Sequence, residues 1–84
     1  MKKIDPYEFG LSKRVELYKD RNKVIIKAKR KSRIIMNDGL RFFEIAKKIK
    51  ENNKEKKISL LTNAPICSKT KSFLIKKEIS ILEL

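Results

Sequence analysis

From Lys57 to Leu84 the chain reads K-I-S-L-L-T-N-A-P-I-C-S-K-T-K-S-F-L-I-K-K-E-I-S-I-L-E-L. Lys57 to Thr62 is a short apolar run of strand length, and Asn63-Ala64-Pro65 turns the chain. A helix opening at Ser68 or nearby runs through about Lys77 with Phe73 and Leu74 inward. Ile79 to Leu84 closes as a strand. Strand, helix and strand in this order imply a right-handed crossover and a parallel pair, which sets the fold class as α/β.

Working backwards, Asn37 or Asp38 caps a helix from Gly39 to about Asn52, with Phe42, Ile45, Ala46 and Ile49 as its apolar stripe. Asn52-Asn53 ends it, and Lys54 to Lys57 is a charged connector. Upstream, Lys23 to Lys31 reads as a strand: Val24, Ile26 and Ala28 point one way, Ile25, Lys27, Lys29 and Lys31 the other. Arg14 to Asp20 alternates as well, with Val15 and Leu17 opposed to Glu16 and Tyr18, and the polar break Arg21-Asn22-Lys23 suits a hairpin turn. Met1 to Lys13 carries Pro6 and Gly10 without a clean period and reads as an irregular lead-in or one short turn. The expectation is a single compact domain over 14–84: a small mixed sheet of four strands with two helices, in the order β-β-α-β-α-β.

Charge gives the first functional clue. Lys and Arg number 23 against 10 Asp and Glu, a formal +13 on 84 residues. Lys27, Lys29, Arg30, Lys31 and Arg33 fall within seven residues containing no acid. At a Debye length of about 8 Å in physiological salt, cations this close repel one another. A polyanion that neutralises them is the natural partner. On a strand, alternate lysines would stand about 6.5–7 Å apart, near the spacing of phosphates along one strand, although a solvated edge defended by lysine would look the same. Lys69 and Lys71, beside the start of the second helix, are secondary candidates, with backbone N–H groups there to receive a phosphate. The partner expected is nucleic acid, DNA or RNA, bound largely without regard to sequence. A domain this small commonly associates, and exposed sheet edges offer a route to a homo-oligomer or larger complex.

Composition removes much enzyme chemistry. Histidine is absent, so the commonest general base and the commonest zinc ligand are missing. One cysteine, Cys67, permits neither an intrachain disulfide nor a cysteine metal site. Glu16 and Asp20 share a strand face and Asp38 lies near the start of the helix, but the second strand offers no carboxylate, so a metal site is poorly supplied. No catalytic residue, metal or cofactor is expected. No apolar run approaches the roughly 18 residues of a membrane span, and no apolar signal core follows the charged N-terminus, so no membrane partner and a cytoplasmic location are expected. Lysine, isoleucine and glutamate are abundant while Gln, His and Trp are missing, a drift shared by thermophiles and AT-rich genomes; five Asn weigh against the former.

The order of elements resembles the second half of the restriction-endonuclease-like superfamily, the PD-(D/E)xK nucleases, and especially the Mrr type. There a strand carrying E-x-K precedes a helix, a strand ending in a polar turn, a second helix and a final strand. The matching stretches are K-V-I-I-K-A-K-R-K, the Asp38 helix, I-S-L-L-T-N-A-P, S-K-T-K-S-F-L-I-K-K-E and I-S-I-L-E-L, over roughly residues 14 to 84. Lys27 occupies the position of the family's Glu, and Lys29 that of its Lys. Asp20 stands where a metal-binding Asp would be sought, without the usual flanking pattern, and the family's first helix is missing. A lysine in place of the metal-ligand carboxylate repels Mg²⁺. The resemblance therefore implies a relative that binds nucleic acid without cutting it; a metal-dependent nuclease-like domain is the alternative.

A second alternative is a thiol or redox protein using Cys67. The thiol precedes a helix, with Lys69 and Lys71 nearby, and both features favour thiolate. Its segment is similar to the strand–turn–helix of glutaredoxin-like proteins, with Thr70 where the second cysteine would stand. A buried structural cysteine is the competing expectation.

Overall fold

The computed structural model describes residues 2–52 and 55–83, without the side chain of Asn52. Met1, Asn53, Lys54 and Leu84 lie outside the described residues, and with them the expected helix-ending Asn53, the start of the charged connector and the last residue of the closing strand.

The sheet has five strands, not four. They are β1 (Lys2–Ile4), β2 (Glu16–Asp20), β3 (Lys23–Ala28), β4 (Lys57–Thr62) and β5 (Ile79–Glu83). They lie in chain order across the sheet. β1, β2 and β3 form an antiparallel meander, and β3, β4 and β5 run parallel. The extra strand comes from the lead-in, where Lys2, Lys3 and Ile4 pair with Lys19, Tyr18 and Leu17. Three residues carry no readable alternation; the free edge of β2 draws them into the sheet. Asp5 then caps a 3-10 turn, Pro6–Phe9, by accepting a bond from the Tyr7 N–H. Leu11 is buried, so the lead-in belongs to the core.

Helix α1 (Met36–Asn52) links β3 to β4 and α2 (Ser68–Lys76) links β4 to β5. Both crossovers step the same way across the sheet, so right-handed connections place both helices on one face. Leu17, Val24, Ile26, Ile58, Leu60 and Ile79 of the strands meet Phe42, Ile45, Ala46, Ile49 and Leu74 of the helices in one core. The helices touch through Phe43 and Phe73, whose rings meet edge-to-face with centroids 5.7 Å apart. Near their starts, a Cβ placed on Gly39 would lie 2.7 Å from the Thr70 methyl, so glycine sets how closely α1 and α2 approach.

Three boundaries differ from those expected. Of the two strands expected in the hairpin, the first, β2, begins at Glu16 rather than Arg14. The second ends at Ala28 rather than Lys31, so of the expected lysine row only Lys27 stands on the strand, and regular phosphate spacing along Lys29 and Lys31 is lost. The cause is long-range: the Arg30 N–H donates to Asn63 Oδ1 at 3.1 Å, bending the chain out of β3 and onto the loop after β4. Helix α1 also starts three residues earlier than expected. Asp38 lies in its first turn and accepts a hydrogen bond from the Ile35 N–H at 3.1 Å, the return half of a capping box rather than the N-cap itself.

Candidate nucleic-acid interface

In parallel α/β sheets, the loops at the carboxyl ends of the strands are where helix N-termini gather and ligands bind. Here that end holds the segments between β3 and α1 and between β4 and α2. They are stitched together. The Ile34 N–H donates to the Pro65 carbonyl at 2.9 Å, and the Cys67 N–H donates to the Ile34 carbonyl at 3.0 Å. Ile34 and Ile66 form a parallel bridge, and Ile34 is fully buried beneath it. Residues more than thirty positions apart in sequence thus share one platform, and with it the two cation clusters that the sequence singled out.

Lys29, Lys31, Arg33, Lys69 and Lys71 are exposed, and none closes an ion pair within 4 Å among the described residues. Lys27 and Arg30 differ. Lys27 is half-buried on the sheet face away from the helices, its Nζ 5.6 Å from the centre of the Tyr18 ring. Arg30 reaches Asp38, with Nη1 2.6 Å from Oδ1. Burial of Asp38 acts to raise its pKa. That effect is outweighed by the Ile35 N–H, the hydrogen bond and charge of Arg30, and the charge of Arg41, so the carboxyl is held below its usual range. Arg30 is therefore spent on anchoring its own loop. Of the seven expected contacts, five remain open to a polyanion.

Arg14 and Arg41 were missed by the sequence reading. Both are exposed and line a cleft of about 510 Å³ together with Lys29 and Arg30, between the run into β2, the end of β3 and α1. Each stands 11 or more positions from Arg30 in sequence, so only the fold brings them to the cluster. Arg41 had a faint signal, one turn into the helix that follows the basic run.

The carboxylates do not converge. Asp20 pairs across the hairpin with Lys23, at the far end from Lys27, while Glu16 is the residue opposite Lys27. Among the described residues, no group of three or more His, Cys, Asp or Glu is placed to hold a metal ion. Cys67, expected to be a buried structural residue, is partly exposed at the N-cap of α2. No side-chain cap bond closes there. The nearby N–H groups of Lys69 and Thr70, and the charge of Arg33, nonetheless hold its thiol below the ordinary cysteine range against the opposing effect of burial. Among the described residues, no helix is long and apolar enough to cross a membrane. Comparison with family models, curated proteins and solved structures finds no match to this chain.

Proposed function

We propose that this protein is a non-catalytic nucleic-acid-binding module of the cytoplasm that grips phosphates, largely without regard to base sequence, at the carboxyl end of its parallel strands. One observation carries the reading: the stitched segments bring the loop of Lys29, Lys31 and Arg33 beside the start of α2, which carries Lys69 and Lys71, and all five are exposed and without ion-pair partners among the described residues. Leaving five cations unpaired costs folding free energy through self-repulsion, and phosphates relieve it. The four phenylalanines are buried or half-buried, so stacking on bases contributes little across the interface as a whole. The strand–helix order from β3 onward, with Lys27 and Lys29 at the E-x-K positions, supports the view of a nuclease-like relative that binds and does not cut.

Binding to duplex DNA across a salt series tests this. With about five phosphates neutralised, log K should fall against log salt with a slope of roughly −4 to −5. Changing the five exposed cations to serine should weaken binding at low salt by two or more orders of magnitude and flatten its slope. A wild type that binds neither DNA nor RNA at low salt would refute the proposal.

The thiol reading keeps one specific support, the lowered pKa of a partly exposed Cys67. If it holds, alkylation of the folded protein at pH 7 is faster than that of an unfolded control peptide; slower labelling rejects it.

A further inference from the structure

The cleft beside the basic platform has a chemistry of its own. Its floor is apolar, built from Val15 at the start of the hairpin, Ala28 at the end of β3, and Phe42 and Ile45 of α1. Phe42 and Ile45 are buried, and Val15 and Ala28 are half-buried. Arg14, Lys29 and Arg41 line it as exposed cations without ion pairs among the described residues. Glu16 is the one carboxylate on the lining, against five cations, Arg14, Lys27, Lys29, Arg30 and Arg41. Asp38, nearby, is held by Arg30. The volume of about 510 Å³ falls within the span of small-molecule sites, about 300–1,000 Å³.

An apolar floor under a cationic mouth fits a ligand with a flat, weakly polar body and anionic links on either side. We infer that the cleft receives the base of one unpaired nucleotide in a bound strand, its flanking phosphates held by Arg14, Lys29 and Arg41. This rests on the nucleic-acid reading above and narrows it: the preferred partner is a duplex with an unpaired nucleotide at an end or a gap. A paired base cannot enter without first being unstacked, whereas an unpaired one enters at little cost.

Three hairpin duplexes distinguish the possibilities by fluorescence anisotropy: one blunt, one with a single unpaired 3′ nucleotide that ends in a 3′-phosphate and so has a phosphate on either side, and one with an abasic nucleotide and the same 3′-phosphate at that position. The intact overhang should bind about five- to tenfold tighter than the abasic one, which carries the same phosphates. Ala28→Leu, which fills the floor, should erase that preference and leave the salt slope unchanged. Arg41→Gln, a surface change that does not disturb packing, should weaken the intact and abasic overhangs alike, keep the preference between them, and reduce the salt slope by about 1. Equal binding of intact and abasic overhangs, with salt-dependent binding retained, overturns the cleft assignment and leaves the phosphate platform standing. Displacement of the overhang by equimolar free nucleoside monophosphate also overturns it, since the cleft would then serve a soluble nucleotide. Absence of binding to all three at low salt overturns the phosphate platform and this inference with it.

Discussion

At the amino end of the parallel strands, where the helices finish, three lysines are occupied. Lys77 Nζ lies 5.0 Å from the centre of the Phe43 ring and 5.7 Å from that of Phe73. Lys50 stands 3.6 Å from Glu78, and Lys56 lies over Phe9 at 5.7 Å. At the carboxyl end, Lys29, Lys31, Arg33, Lys69 and Lys71 make no such contact among the described residues, although the chain commits three long-range contacts to holding their loops in place. Net charge alone would treat the two ends alike. Cations that cover aromatic faces or close ion pairs are structural, while those fixed in position yet left unpaired are available to a partner.

The largest effect should come from neutralising one end at a time. Serine at Lys29, Lys31, Arg33, Lys69 and Lys71 should weaken duplex binding at low salt by two or more orders of magnitude, on the scale of several lost phosphate contacts. Glutamine at Lys50, Lys56 and Lys77 should change affinity by less than about threefold and lower thermal stability instead, at about 0.5–1 kcal/mol per exposed cation–π contact. Paired titrations and melting curves on the two variants would break the comparison if the losses were equal.

Next in size is the helix contact beneath the platform. Gly39→Ala gains about 0.5–1 kcal/mol of helix propensity. The new Cβ meets the methyl of a fully buried Thr70 at 2.7 Å, and overpacking of this kind costs about 1–3 kcal/mol. A net fall in Tm is expected, at about 4–8 °C per kcal/mol for a domain this size. Gly39→Ala combined with Thr70→Ser, which removes the methyl, should recover most of it. Calorimetry of the single and double variants checks both signs.

Asp38→Asn should move the two properties in opposite directions. The loop loses the charge that holds Arg30, lowering stability by about 1–2 kcal/mol. Arg30 is released to a polyanion, so binding should tighten a few-fold. The pH dependence follows the lowered carboxyl pKa. The unfolded chain takes up the proton near pH 3.9, so the stabilisation by Asp38 is complete well above that value. It is lost as pH falls through the lower folded value. The acid limb of the wild-type stability curve should therefore be steeper than that of Asp38→Asn.

These effects trace how far the sequence could be read. β4, α2 and the described part of β5 were legible because their periods and turn residues agree. β1 was not, since Lys2–Ile4 is a strand only because β2 offers an edge. The end of β3 was missed because alternation continues through Lys31 and the bond that stops it comes from Asn63. Among the functional residues, the run from Lys27 to Arg33 and the pair Lys69 and Lys71 were visible as composition. That Arg30 is committed, that the two groups meet, and that Arg14 and Arg41 join them are facts of tertiary structure.

The smallest effect belongs to the far end. Arg21 holds the β2–β3 turn with φ at 57°, where a side chain costs about 1–2 kcal/mol. Arg21→Gly should raise Tm by a few degrees, the strain relief being partly offset by glycine's greater freedom when unfolded. It should leave affinity within twofold despite removing a positive charge, as a melting curve and one titration would show.

The difference between the two ends is tested most directly by mapping amide chemical shifts of the labelled protein during titration with a short duplex at low salt. The largest shifts should fall in residues 29–35 and 63–71, with Lys50, Lys56 and Lys77 nearly still. Shifts centred on those three lysines, or spread evenly over the surface, would contradict the assignment of the carboxyl end as the phosphate-binding face.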